Sequence, residues 1–96
     1  MDLSNKGMEN DVIFIGKKPT MSYVLAILTH INSGHDSVTL KARGMLISKA
    51  VDISQLVVRK FSKELKVSSI SIGSEEITDK DNNKRMVSYI SIDLKR

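Results

Sequence analysis

Cations gathered at three places are the residues with the clearest chemical potential. Lys17 and Lys18 follow the apolar run Val12 to Ile15 and Gly16, where a chain leaving a buried strand presents side chains rather than packing them. Lys41, Arg43 and Lys49 flank Gly44, and Lys80, Lys84 and Arg85 surround the turn-forming Asp81-Asn82-Asn83. Ammonium and guanidinium groups presented on loops attract phosphate and displace its counterions. Lys and Arg number 15 against 11 Asp and Glu, a net charge of +4, so the placement of the charge rather than its total points to nucleic acid. Asp79 and Asp81 dilute the third group.

Other chemistries lack their parts. Gly16-Lys17-Lys18 is not a nucleotide-hydrolysing phosphate loop, because no second glycine precedes the lysine at the required spacing and no Ser or Thr follows it. Glu75 and Glu76, adjacent on a strand, face opposite sides, so with Asp79 and Asp81 they make neither an acid/base pair nor a metal site. His30 reads as a complement to a helix dipole or as an exposed side chain, and His35 as a loop residue. Cysteine is absent, and two imidazoles alone are thin material for a metal centre. The serines have no nucleophile-elbow context. No catalytic activity, cofactor or metal is expected. Phe14, Tyr23, Phe61 and Tyr89 are the only aromatics, with Phe14 and Tyr89 placed in the sheet, so contacts to a duplex backbone fit better than base stacking.

The elements that must position these groups follow from local pattern. Ninety-six residues suit a single domain, read as a flexible tail over 1–10 and one folded unit over 11–96. Val12 to Ile15 is a short buried strand. Pro19 then opens a helix in which Met21, Val24, Leu25, Leu28 and Ile31 recur at helical spacing until Asn32-Ser33-Gly34. Residues 37–43 alternate as a half-buried strand, with Lys41 and Arg43 on the outward face. Ile47, Ala50, Val51, Ser54, Val57, Val58 and Phe61 trace one stripe of a second helix, and Ile53 and Leu56 fall on another side, which calls for a partner subunit. A hairpin closes the chain. Its distal half, roughly 74–86, has too few apolar residues to lie on a core and is expected to project by on the order of 20 Å. The expected architecture is an α/β (α+β) sandwich of order β-α-β-α-β-β: a four-stranded mixed sheet, two helices and a protruding C-terminal hairpin arm. The longest apolar stretch is too short for a bilayer and residues 1–10 lack a signal-peptide core, so a cytoplasmic, nucleoid-associated protein is expected, with no membrane partner.

Three stretches together resemble the Alba family of archaeal chromatin and nucleic-acid-binding proteins. They are Val12 to Pro19 (VIFIGKKP) running into Met21-Ser22-Tyr23-Val24-Leu25, then Lys41 to Asp52 (KARGMLISKAVD), then Arg59-Lys60-Phe61. The resemblance covers nearly all of residues 11–94. It implies a homodimer, with a paralogue heterodimer as the alternative, that coats and compacts double-stranded DNA through backbone contacts from its body and embracing arms. RNA is the alternative ligand, because the superfamily includes RNA-binding members and ribonuclease P subunits. The family's central lysine pair falls on Lys17 and Lys18 and its basic strand-end residue on Arg43, with Lys41 and Tyr23 beside that surface. The resemblance further implies that Lys17 is open to an acetylase and deacetylase, which would remove a charge from the binding face. It places a dimer-to-dimer contact at Phe61. Met45 departs from the family, many of whose members carry another arginine there.

Overall fold

The structure is a computed structural model that describes Met8, Glu9 and residues 11–96. The elements are β1 (Met8–Glu9), β2 (Val12–Phe14), α1 (Thr20–Asn32), β3 (Ser37–Arg43), α2 (Ile47–Leu56), β4 (Lys66–Thr78) and β5 (Lys84–Lys95). The four-stranded mixed sheet and two helices expected from the sequence are present. A two-residue ladder between Met8–Glu9 and Val12–Ile13 adds a fifth, edge strand. That ladder lies inside the segment read as a tail; the rest of the tail falls outside the described residues.

The strand order is β1-β2-β3-β5-β4. β2 and β3 are parallel, joined through α1, whereas β5 runs antiparallel to both β3 and β4. Period-two alternation turns Val38, Leu40 and Ala42 to the same face as Leu94, Ile92 and Ile90, and all six are buried. Val24, Ile27 and Ile31 of α1 cover that face together with Ala50 and Ile53 of α2, Val57 and Leu65. Helix α1 stops as its sequence suggests: Ser33 Oγ donates to the Thr29 carbonyl, and Gly34, at a φ of +102°, folds its N–H back onto the Ile31 carbonyl.

The stripe on the second helix needs correction. Ile53 is fully buried, while Val51 and Phe61 are exposed. The core face is therefore centred on Ala50, Ile53, Ser54 and Val57. Beyond Leu56 the helix continues as a wide turn over Val57–Phe61, closed by the Ser62 N–H on the Val57 carbonyl. An i→i+5 turn holds more residues than an α turn, so the phase slips and Phe61 swings off the core face.

The hairpin follows the sequence closely. Arg43, the last residue of β3, pairs with Tyr89, and beyond that point β4 and β5 pair only with each other, from Ser74↔Ser88 to Thr78↔Lys84. Asn82, at a φ of +63°, carries the turn, and Asp79 Oδ1 accepts the Asp81 and Asn83 N–H groups at 2.9 Å each. Five cross-strand pairs plus this turn extend about 20 Å past the end of β3.

Candidate nucleic-acid interface

Parallel strands end at the same edge of a sheet, and this brings the two basic corners together. The loop leaving β2 carries Lys17 and Lys18, and the junction leaving β3 carries Arg43 and, six residues later in the first turn of α2, Lys49. Both open at the end from which the hairpin arm projects. The junction after β3 turns through Gly44, whose φ of +60° lies in the left-handed region that glycine enters without strain.

The Lys17-Lys18 loop is fastened from below. Tyr23 is buried, at 8% exposure, and its hydroxyl accepts the Gly16 N–H at 2.8 Å and the Lys18 N–H at 3.2 Å. From the β3 side, Lys49 Nζ donates to the Gly16 carbonyl at 2.7 Å and also to the Lys18 carbonyl, while lying 5.2 Å from the centre of the Tyr23 ring. Both polar ends of the loop backbone are thus held by side chains from two helices. Gly16 is packed closely here, since an added Cβ would sit 3.2 Å from the Tyr23 hydroxyl and push it by a few tenths of an ångström. Lys17 and Lys18 themselves are exposed, and neither ammonium has an ionic partner among the described residues.

The nine residues singled out in the sequence therefore fall into different positions. Lys17 and Lys18 stand at the surface. Lys41 is exposed on the sheet face that carries no helix, beside its β2 neighbour Phe14. Arg43 also reaches that end, but its guanidinium donates to Glu75 Oε2 at 2.8 Å. Tyr23 and Lys49 are not free surface groups: one is buried and the other is spent on backbone carbonyls. Lys80, Lys84 and Arg85 are exposed on the arm. In residues 74–86 these three cations face four carboxylates, Glu75, Glu76, Asp79 and Asp81. At the arm's root, Gly73 lies opposite Tyr89, whose hydroxyl oxygen comes within 2.6 Å and whose nearest ring atom comes within 2.7 Å of where a Cβ would stand. The tyrosine fills the room a side chain would take.

Sequence reasoning missed Glu75 as a partner of Arg43 and missed the fastening roles of Tyr23 and Lys49. His30 does stand in the last turn of α1, but it is buried next to Asp11 rather than exposed. Asp93 likewise carries no signal in the sequence. Its carboxyl is held below the usual value by the Ser69 hydroxyl first and the Thr39 hydroxyl second, outweighing the opposing effect of burial, and Lys95 adds a smaller pull.

Comparison with known proteins gives a consistent result. A family model described as Alba matches residues 11–74. The chain is 46% identical over 88 residues to the DNA/RNA-binding protein Alba of Methanocella arvoryzae, covering 92% of each. It is 44% identical over 87 residues to DNA/RNA-binding protein Alba 1 of Archaeoglobus fulgidus, covering 91% of this chain and 97% of that one. Among solved structures, Alba from Thermoplasma volcanium superposes with a TM-score of 0.83 at 41% identity, over 88% of this chain and 99% of that one. Alba1 from Trypanosoma brucei shares the fold, with a TM-score of 0.73 at 17% identity, over 92% of this chain and 70% of that one. No helix among the described residues is long and apolar enough to cross a membrane.

Proposed function

The chain belongs to the Alba family of nucleic-acid-binding, non-enzymatic proteins, and on that premise we propose that it binds double-stranded DNA as a sequence-independent architectural dimer. The observation that carries this reading is the convergence of Lys17, Lys18, Arg43 and the arm at one end of the sheet, with the lysine loop held rigid by Tyr23 and Lys49. A loop already held in place loses little entropy when it meets phosphate. Lys17 and Lys18 supply the main attraction, Lys41 and Arg43 extend it, and the arm adds reach with Lys80, Lys84 and Arg85. Tyr23 and Lys49 act as positioning residues. Acetylation of the exposed Lys17 would subtract one charge where attraction is strongest, and the protein's place is on the chromosome within the cytoplasm.

An uncovered apolar surface supports the dimer. Ile70 and Ile72 lie on the helix-side face of β4, yet both helices stop short of that strand and leave the two side chains 59% and 76% exposed. A second copy laid against this face would bury them and double the cationic surface. Phe61, exposed at the end of its wide turn, is left for contact between dimers, which would favour cooperative coating of DNA.

Binding to a random-sequence duplex measured across salt tests the reading. Six or more phosphate contacts per dimer require affinity to fall by about 10³ or more between roughly 50 and 200 mM salt. Lys17→Ala with Lys18→Ala should weaken binding equally for all sequences while the fold stays intact. A salt-independent affinity or a loss confined to one sequence would contradict it. RNA is the second reading, favoured by the dual DNA/RNA description of the two relatives above. Direct competition between duplex DNA and structured RNA separates the two.

A further inference from the structure

The end of the sheet opposite the lysine loop holds a second cluster of chemistry-bearing side chains. Asp11 stands immediately before β2, and His30 lies in the last turn of α1, which runs back antiparallel to that strand. His35 follows Gly34 in the loop to β3. The two imidazoles stack with ring centres 3.9 Å apart and planes 15° from parallel. One donor atom from each of Asp11, His30 and His35 lies within 4.8 Å of the other two.

We propose that Asp11, His30 and His35 form a binding site for a divalent transition metal ion of the zinc type. Three observations carry it. First, His30 is nine-tenths buried, and its Nε2 sits 2.8 Å from Asp11 Oδ1, an ion-pair contact that lacks the alignment of a ring N–H hydrogen bond. A buried nitrogen held only by a misaligned contact is poorly satisfied, and a cation between the two groups would be bound by both. Second, His35 Nδ1 lies 3.1 Å from the His30 carbonyl. A carbonyl can only accept, so Nδ1 carries the proton and Nε2 keeps its lone pair outward. Imidazole ligands to metals are oriented in this way, by a backbone carbonyl on the nitrogen that does not coordinate. Third, Asp11 is a non-glycine residue at a φ of +68°, and its backbone carbonyl is fixed by the Thr39 N–H at 2.7 Å. Left-handed backbone is sparsely populated for such residues, and here it presents the carboxylate to His30.

Two imidazoles and one carboxylate suit zinc, which takes three protein ligands plus water, better than magnesium or calcium, which prefer all-oxygen shells. Tetrahedral ligands at about 2.0 to 2.1 Å from zinc stand roughly 3.3 Å apart, so the His30–Asp11 pair needs to open by only about half an ångström. Parallel rings cannot aim their in-plane lone pairs at one ion, so His35, on its exposed loop, has to leave its stacked position on His30 to complete the set. The ion would tie the start of β2, the end of α1 and the loop to β3 into one unit, away from the nucleic-acid surface. The competing state is a plain ion pair between protonated His30 and Asp11.

The test uses the full chain without an affinity tag, first stripped with a chelator and then titrated with Co²⁺ and, separately, Zn²⁺ near pH 7.5. The expected result is one Co²⁺ per chain with the visible d–d absorption of a four-coordinate site, displaced by Zn²⁺, and a melting temperature that rises with Zn²⁺. His35→Ala retains the His30–Asp11 pair and should weaken metal binding by at least about tenfold, with a thermal shift that shrinks accordingly. His30→Ala should do the same; if burial of that position prevents folding, the exposed His35 variant carries the test. Absence of the d–d band, or Zn²⁺ affinity and thermal shift unchanged in His35→Ala, would overturn the proposal and leave the ion pair as the whole role of these groups.

Discussion

Arg43 donates to Glu75 at 2.8 Å, so the strand-end cation is neutralised by a carboxylate from the root of the arm. A phosphate that takes the Nη1 donor of Arg43 has to compete with Glu75 for it. The pair is half exposed on both sides, which limits its strength to about 0–1 kcal/mol. Glu75→Gln should therefore raise duplex affinity by about two- to fivefold, and fluorescence anisotropy at several salt concentrations should show a steeper salt slope by about one phosphate contact. Weaker binding in this variant would mean that Glu75 orients Arg43 rather than competing for it.

Tyr23→Phe removes one oxygen and leaves the Gly16 and Lys18 N–H groups without their acceptor. Lys18 is exposed and water can take over there; Gly16 is half-buried and cannot be fully compensated. A loss of about 1–3 kcal/mol is expected, read as a fall of the melting temperature by several degrees. Duplex affinity should drop while the salt slope stays constant, because no cation has been removed. A change of slope would show instead that the tyrosine hydroxyl meets phosphate directly.

Asp93 sets an acid limit on stability. Its folded pKa lies below the ordinary value of 3.8, with the Ser69 hydroxyl as the largest cause, so the unfolded chain takes up the proton first as pH falls. The stabilisation is complete above the unfolded value and disappears as pH drops through the depressed folded one. Asp93→Asn should be less stable than the parent at neutral pH, with the difference shrinking as pH falls below about 5 in urea titrations. A constant difference over that range would assign the effect to packing rather than ionisation.

Much of the fold was legible because its signals are local. Val12 to Ile15, the alternation from 37 to 43, the Asn32-Ser33-Gly34 stop and the Asp81-Asn82-Asn83 turn each act through their own backbone preferences. The hairpin's projection followed from the scarcity of apolar residues beyond Gly73. The core face of α2 was not legible. Ile53 and Val51 are both apolar, and only the line along which the helix crosses the sheet buries the first and leaves the second in solvent. The wide turn at Val57–Phe61 has no sequence signature that helical periodicity can detect.

The candidate site divides along the same boundary. From sequence alone come the cations themselves, their positions at strand ends and on an arm, and the family pattern that links them, since these depend on residue type and short-range spacing. Tertiary structure decided which of those charges are free. Lys17 and Lys18 stay open, Lys49 turns inward to carbonyls 31 and 33 residues away, and Arg43 meets a carboxylate 32 residues away. Asp11 and His30 come together only because α1 returns antiparallel to β2. Such pairings depend on strand register and helix direction, which the packing of the whole chain sets and no local window of residues contains.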